Sequence, residues 1–358
     1  MDQRIAFCRA RDGTRIAYAT HGHGPPLVKV AHWLTHLEHD WRSPIWQPRL
    51  TALGARHRVV RYDCRDTGLS DREVERVSLD AWVEDLEAVV DAVGLERFPL
   101  LGISQGGPIA VTYAARHPER VSALVLCGAY ARGRGRRSPA RRGETEALAT
   151  VMRYSWGEEN AAVRQMWTTR LIPDGTPAQM RWLNDLQRWS ASPQAAVRSY
   201  RTCTSIDVTD DAHALNTPTL VMHARGDAFV PFEAGCELSA AIPGATFVPL
   251  ETNNHLFLAD EPAWRTFLDE LHGILSVDAG PVARPFPQLT PREQELVELV
   301  AAGLGNAAIA DRLVISPKTV RNHITHVFDK LGVGTRAEAI VTARDAGLGS
   351  RANGQRRS

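Results

Sequence analysis

The chain has 358 residues, 44% of them hydrophobic and 23% charged, and a formal net charge of +1. That length exceeds one ordinary domain, and no apolar run approaches the roughly 20 residues that span a bilayer. The cysteines (Cys8, Cys64, Cys127, Cys203, Cys236) are odd in number and scattered, with no C-x-x-C pair, and the opening Met-Asp-Gln-Arg-Ile-Ala-Phe lacks the apolar core of a secretory leader. These features argue against a disulfide framework, a zinc site and a membrane anchor, and a cytoplasmic location with reduced thiols is expected.

Strand-length apolar runs recur at residues 27–31, 59–62, 99–103, 123–127, 219–223 and 246–250. Helical patterns lie between several of them. The clearest places Leu79, Trp82, Val83, Leu86, Val89, Val90 and Val93 at helical spacing, with Gly94 to stop it. Continuous apolar strands alternating with helices predict a mostly parallel, doubly wound sheet covered on both faces, with ligands outside the carboxyl ends of the strands. The run Leu100-Leu101-Gly102-Ile103-Ser104-Gln105-Gly106-Gly107 reads as a strand turning sharply into a helix, the G-x-S-x-G of a nucleophile elbow.

From about residue 138 to 206 the strand pattern lapses, and a helical cap is expected, holding Trp156, Trp167, Trp182 and Trp189 as packing or as pocket lining. Before it, Arg132, Arg134, Arg136, Arg137, Arg141 and Arg142 crowd a segment with Gly and Pro. It reads as a solvated loop on one view and as a contact for nucleic acid or an anionic ligand on the other. A serine nucleophile needs a base and an orienting carboxylate on loops after later strands, in the order Ser, Asp or Glu, His. Asp227 follows the strand at 219–223 and His255 follows the strand at 246–250, so Ser104, Asp227 and His255 complete the set.

On these residues the stretch 7–275 resembles the α/β-hydrolase family. The resemblance extends to Asp63-Cys64-Arg65-Asp66-Thr67-Gly68-Leu69-Ser70, to Arg225-Gly226-Asp227 with Val230-Pro231, and to His255 with Glu261-Pro262. Asp66 and Asn254 stand where the family commonly has glycine; both residue types tolerate a left-handed backbone. The resemblance implies an oxyanion hole formed by the N–H groups of Gln105 and Trp33. A serine nucleophile favours ester, lactone, thioester or C–C acyl cleavage over haloalkane or epoxide chemistry, with perhydrolase chemistry a further alternative. His32, His36 and His39 lack the accompanying glutamate of a zinc helix, so they read as pocket wall or surface. No metal and no cofactor is expected.

After residue 275 a Pro-rich linker is expected over 276–288. Thr290-Pro291-Arg292-Glu293 then forms a capping box. Helices follow to Gly303, over 306–313, from Ser316-Pro317 to Leu331-Gly332, and from Thr335 to about Gly347. The middle two make a helix-turn-helix. On the third, Val320, Ile324, Val327 and Leu331 face inward, while Lys318, Asn322, Thr325 and His326 face outward with Thr319 and Arg321 at the edges. Residues 289–358 carry ten Lys and Arg against seven Asp and Glu, a modestly basic balance suited to phosphates.

Through Leu289-Thr290-Pro291-Arg292-Glu293, Ser316-Pro317-Lys318-Thr319-Val320, His323 and Lys330-Leu331-Gly332-Val333, residues 289–349 closely resemble the LuxR-type DNA-binding domain. That resemblance implies that Arg321, Asn322 and Thr325 face bases, Lys318 and Thr319 hold phosphates, and the fourth helix makes a dimer contact; 350–358 form a basic tail. The expected protein is therefore an α/β hydrolase domain at 1–275 joined to a small all-α four-helix domain. As a whole it reads as a homodimeric regulator on double-stranded DNA whose hydrolase-like domain binds, and on a stronger reading hydrolyses, a small organic effector. The alternative is a serine esterase or lactonase with a secondary DNA-binding tail.

Overall fold

The computed structural model describes residues 2–159, 161–278, 286, 288–313 and 316–345. The chain divides into two compact units, Met1–Asp278 and Ala279–Ser358.

The first unit opens with β1 (Arg4–Arg9) and β2 (Arg15–His21) and continues through β3 (Pro26–Lys29), α1 (Leu37–Trp41), α2 (Trp46–Gly54) and β4 (Arg58–Tyr62). Then come α3 (Leu79–Ala92), β5 (Phe98–Ile103), α4 (Gly106–Arg116) and β6 (Val121–Cys127). Six helices follow without a strand: α5 (Arg134–Arg137), α6 (Pro139–Ser155), α7 (Ala162–Leu171), α8 (Pro177–Ser190), α9 (Pro193–Ser205) and α10 (Thr209–His213). The unit finishes with β7 (Thr219–Ala224), α11 (Phe232–Ala241), β8 (Thr246–Leu250) and α12 (Pro262–Asp278).

The eight strands form one sheet in the order β1-β2-β4-β3-β5-β6-β7-β8. β2 pairs antiparallel with β1 and β4, and the other neighbours run parallel. Every residue of β6 and β7 is buried, because helices cover both faces. On one face Trp82, Leu86 and Val90 of α3 pack with Ile109 and Tyr113 of α4; on the other lie Trp46 and Leu53 of α2 with Phe267 and Leu271 of α12. The Ser78 hydroxyl caps α3 by accepting from the N–H of Ala81 at 3.1 Å, and left-handed Gly94 follows its end.

The arginine-rich segment is not a solvated loop. Arg134 and Arg137 lie in α5, and Arg141 and Arg142 in the first turn of α6, which Ser138 caps through the N–H of Arg141 at 3.2 Å. Glu144 pairs with Arg134 and with Arg141, which removes much of the repulsion that would keep such a segment open. Leu34, Met152, Trp156, Trp167 and Tyr200 form a core where α6, α7 and α9 meet the loop after β3.

Two of the glycine replacements tie this helical layer to the sheet. Asp66 takes a left-handed backbone (φ +71), and its carboxylate binds Arg198 of α9 at 2.6 Å and the N–H of Glu73 at 3.0 Å. Asn254 makes no use of the left-handed backbone that its residue type tolerates, since it is not among the residues with positive φ. It is fully buried and acts through its side chain, accepting from the N–H of Asp174 at 3.0 Å and donating to Glu261 at 2.6 Å.

The second unit contains α13 (Pro291–Ala301), α14 (Asn306–Leu313), α15 (Pro317–Leu331) and α16 (Arg336–Asp345). Thr290 and Glu293 form the reciprocal capping box, and Ser316 caps α15 by accepting from the N–H of Thr319 at 3.1 Å. At α16 the first half of the expected box forms, Thr335 accepting from the N–H of Glu338, while the Glu338 carboxylate takes the N–H of Gly334, one residue earlier than a reciprocal box requires. Leu296, Val300, Ile309, Leu313, Val320, Ile324 and Val327 close a separate core. The expected linker start at 276 is corrected, because α12 runs on to Asp278; of the rest of that segment only residues 286 and 288 are described, and the basic tail lies wholly outside the described residues.

Candidate active site and nucleic-acid interface

Ser104 sits between β5 and α4 with φ +52, a strained value for a residue bearing a side chain. Two glycines make the turn possible. A Cβ on Gly102 would lie 2.7 Å from the carbonyl oxygen of Gly106, and one on Gly106 would lie 3.0 Å from that of Ala31. The N–H of Ser104 is held by the carbonyl of Cys127 at 2.9 Å, locking the elbow to β6.

Asp227 follows β7 and His255 follows β8. The Asp227 Oδ2 atom lies 2.6 Å from His255 Nδ1, and its Oδ1 accepts from the N–H groups of Phe229 and Val230, both at 2.8 Å. Burial opposes ionisation of Asp227, but the His255 ring and hydrogen bonds from His223 and His255 outweigh it. Its carboxyl is held well below the usual range. An ionised Asp227 requires the proton on Nδ1 of His255, which leaves Nε2 as the basic nitrogen. That Nε2 is buried without a hydrogen-bond partner, so no bond to Ser104 is formed in this structure. Ser104 and His255 nevertheless line one cavity.

The serine stands where two cavities meet, and Trp33, Ser104 and Phe229 line both. The smaller, about 420 Å³ including its open side, is lined by Trp46, Leu171, Leu183, Leu186 and Leu256. The larger encloses about 850 Å³ including its open mouth, and has Trp167 and Tyr200 in its wall. Among the described residues, no hydrogen bond takes up the N–H of Trp33 or of Gln105. The side chain of Gln105 is engaged by Cys203 at 2.9 Å.

Of the four cap tryptophans, Trp167 alone lines the larger cavity. Trp156 is buried behind it with its N–H on the carbonyl of Gln187, Trp182 packs on the core beneath the sheet, and Trp189 stacks on His39. His32 stacks on Trp46 in the wall of the smaller cavity, and burial, then the Lys29 charge, hold its imidazole well below the usual range. His36 packs edge-on against His39.

Three site residues escaped sequence reasoning. A Cβ on Gly128, which has φ +58, would lie 2.9 Å from Cε1 of His255, so the ring rests on bare backbone. His223 lies 3.4 Å from Asp227 while bonding the carbonyl of Val230 at 2.9 Å. Arg170 braces the loop beyond Asp227 by donating twice to the carbonyl of Ala228, at 3.1 and 2.8 Å. A glycine immediately after a strand was the one visible signal.

In the second unit, Lys318, Arg321 and Thr325 are exposed on α15 and Thr319 is partly exposed, opposite the buried Val320, Ile324 and Val327. The Thr319 hydroxyl meets that of Ser316 at 2.8 Å, and the Thr325 hydroxyl donates to the carbonyl of Arg321. The side chain of Asn322 lies outside those described. Lys330 binds Glu293 at 2.8 Å and Arg336 binds Asn306 at 2.9 Å, so α15 and α16 are clamped to the first two helices of the unit.

The family model for the alpha/beta hydrolase fold matches residues 34–262, and that for bacterial regulatory proteins of the luxR family matches 287–343. Among curated proteins, the chain is 31% identical to a 2-hydroxy-6-oxononadienedioate/2-hydroxy-6-oxononatrienedioate hydrolase of Paraburkholderia phymatum, over 68% of this chain and 82% of that one. It is 28% identical to a non-heme haloperoxidase of Rhodococcus erythropolis, over 66% of this chain and 88% of the other. Among solved structures, a bromoperoxidase from Bacillus anthracis superposes with a TM-score of 0.65 at 22% identity, over 76% of this chain and 100% of that one, which speaks to fold alone. No helix among the described residues is long and apolar enough to cross a membrane. The chain belongs to the alpha/beta hydrolase family and carries in its second unit a DNA-binding domain of the luxR family of bacterial regulatory proteins.

Proposed function

We propose that this chain is a transcription regulator, working in the cytoplasm as a homodimer on double-stranded DNA, whose hydrolase-like unit binds a small organic acyl compound. The observation that carries the reading is the presence in one chain of a cavity built over Ser104 and a luxR-type helix-turn-helix. A ligand regulates only by binding one state of the chain better than another. On α15, Arg321 and Asn322 with Thr325 read bases, while Lys318 and Thr319 hold phosphates. The fourth helix of that unit, α16, supplies the dimer contact.

The short Asp227–His255 bond favours a second, compatible reading, in which the effector is also a substrate. Ser104 Oγ attacks the carbonyl carbon of an ester or lactone as His255 Nε2 takes its proton. The N–H groups of Gln105 and Trp33 hold the developing oxyanion. Collapse breaks the C–O bond, and the proton on Nε2 passes to the leaving alkoxide; water then releases the acid by the same steps. The Ser104–His255 bond forms as the complex tightens.

A footprint on DNA, with wild type and Ser104→Ala across a panel of esters and lactones, tests both readings. Sequence-specific protection that shifts with one compound is expected. Absence of specific protection with every compound overturns the regulator, and equal response of the two proteins, with no turnover and no labelling of Ser104 by a fluorophosphonate, overturns the enzyme.

A further inference from the structure

We infer that the larger cavity contains an anion-recognition subsite, formed by Arg134, Arg170 and Tyr200, that takes a carboxylate on the compound whose acyl carbon lies over Ser104. The inference rests on the acyl-binding reading of Ser104 and narrows it to one class, acyl compounds bearing a second, ionised acid group.

Three different helices deliver these side chains: Arg134 from α5, Arg170 from α7 and Tyr200 from α9, and all three line the cavity with Ser104. The Nε of Arg134 is buried with no hydrogen-bond partner, and the buried Tyr200 hydroxyl has only the Thr145 hydroxyl beside it, which already donates to the carbonyl of Arg141 at 2.8 Å. Leaving buried donors unused is unfavourable unless something arrives to accept from them. Arg170 donates only to the carbonyl of Ala228 and, among the described residues, pairs with no carboxylate. Burial and then the neighbouring charge of Arg134 press its guanidinium below the usual range, so two like charges share this wall. Glu144, the acid beside Arg134, is already divided between Arg134 and Arg141.

The wider balance points the same way. Arg132, Arg134, Arg137, Arg141 and Arg170 line the cavity, no Asp or Glu does, and the carboxylates that pair with these arginines are Glu144 and Glu237. Positive charge in excess within a half-buried, aromatic-walled space is offset best by a bound anion. A guanidinium fork with an adjacent hydroxyl suits the planar, two-oxygen carboxylate. These arginines edge a concave pocket, about 850 Å³ with its open mouth, walled by Trp33, Trp167 and Phe229, which fits a small molecule and not a duplex. Ser104 lies between this charged space and the apolar smaller cavity. The pocket therefore distinguishes the two ends of its ligand.

The test is a titration of the intact chain with monomethyl glutarate and with neutral dimethyl glutarate, read by quenching of tryptophan emission, since Trp33 and Trp167 stand in the wall. The monoester is expected to bind roughly 10- to 100-fold more tightly. Arg134→Gln should abolish most of that preference and Arg134→Lys should recover part of it. Tyr200→Phe keeps the ring and its packing, removes the hydroxyl, and should reduce the preference several-fold. No preference in wild type, whether both esters bind or neither does, overturns the subsite; so does a preference unchanged in Arg134→Gln and Tyr200→Phe. Fluorophosphonate labelling of Ser104 on the same samples separates the two ideas. A reactive Ser104 without ester discrimination defeats the subsite alone, and discrimination with an inert Ser104 upholds the subsite and defeats the catalytic reading.

Discussion

Gly128→Ala probes the seat of His255 without touching any of the three proposed catalytic side chains. Gly128 follows β6 with φ +58, and its N–H is held by the carbonyl of Met222 at 2.9 Å, so the backbone there has little freedom to move. An added methyl would lie 2.9 Å from Cε1 and 3.1 Å from Nδ1 of His255. The left-handed backbone costs an L side chain about 1–2 kcal/mol. Carbon contacts are comfortable near roughly 3.5–4.0 Å, so the ring must retreat by about half an ångström or more. The Nδ1···Oδ2 bond to Asp227, now 2.6 Å, is then stretched or bent. A charge-assisted hydrogen bond is worth about 1.5–3 kcal/mol; partial loss of it plus the backbone strain gives a destabilisation of about 2–4 kcal/mol. By calorimetry the first unit should melt roughly 5–15 °C lower. Fluorophosphonate labelling of Ser104 should slow by about 100-fold, the low end of what a positioned general base contributes. A variant that labels at the wild-type rate and loses no more than the backbone strain would refute the seating of the ring on Gly128.

Asp227 has a folded pKa below its unfolded value of about 3.9, so its contribution to stability is complete above roughly pH 5 and is lost as pH falls through and below 4. Urea melts of wild type should therefore weaken across that window, and those of Asp227→Asn should weaken less. Arg321→Ala should cost about 1–3 kcal/mol at one operator position and relax specificity there, whereas Lys318→Ala should weaken binding to all sequences and lower the salt slope by about 1; titrations at several salt concentrations separate the two patterns. Ile324→Ala, in the core of the second unit, should destabilise that unit by about 2–5 kcal/mol and abolish footprinting near its melting point, while leaving Ser104 labelling intact.

The parallel part of the sheet was legible because its strands are buried on both faces and read as unbroken apolar runs, as in Leu124, Val125 and Leu126. β1 and β2 were not, for the opposite reason. They form an edge hairpin with half-exposed residues, and Arg4, Arg9 and Arg15 interrupt the apolar signal. Their alternation is too short to stand out beside charged residues. The loop reading of the arginine-rich segment failed because helical propensity was judged apart from its partners. Glu144, Ser138 and the carbonyl of Ser205 are what make Arg134, Arg136 and Arg141 compatible with ordered helices. In the second unit, Thr290, Ser316 and Gly332 announce helix ends through local chemistry alone, which is why those boundaries could be placed within a residue.

Chain order could suggest Ser104, Asp227 and His255 as neighbours because the loops after β5, β7 and β8 lie at one edge of the sheet, so order along the chain becomes neighbourhood in space. Nothing comparable orders the cap. Its helices are amphipathic, and a stripe of Trp, Tyr and Leu looks the same in sequence whether it faces a core or an empty cavity. Trp156 and Trp167 show this: both are buried within one cluster, yet Trp156 is spent on packing and the carbonyl of Gln187 while Trp167 borders open space. The difference is set by anchors far away in the sequence. Asp66 to Arg198, the N–H of Gly68 to the carbonyl of Ser190, and Asn254 to Asp174 tie the cap to the loops that follow β4 and β8. Two of those three begin at a position where the family has glycine and this chain has a side chain able to bond, and the third, at Gly68, lies two residues beyond one of them. Those departures looked like tolerated exceptions in the sequence, and in the structure they are attachments that hold the cap to the sheet's loops.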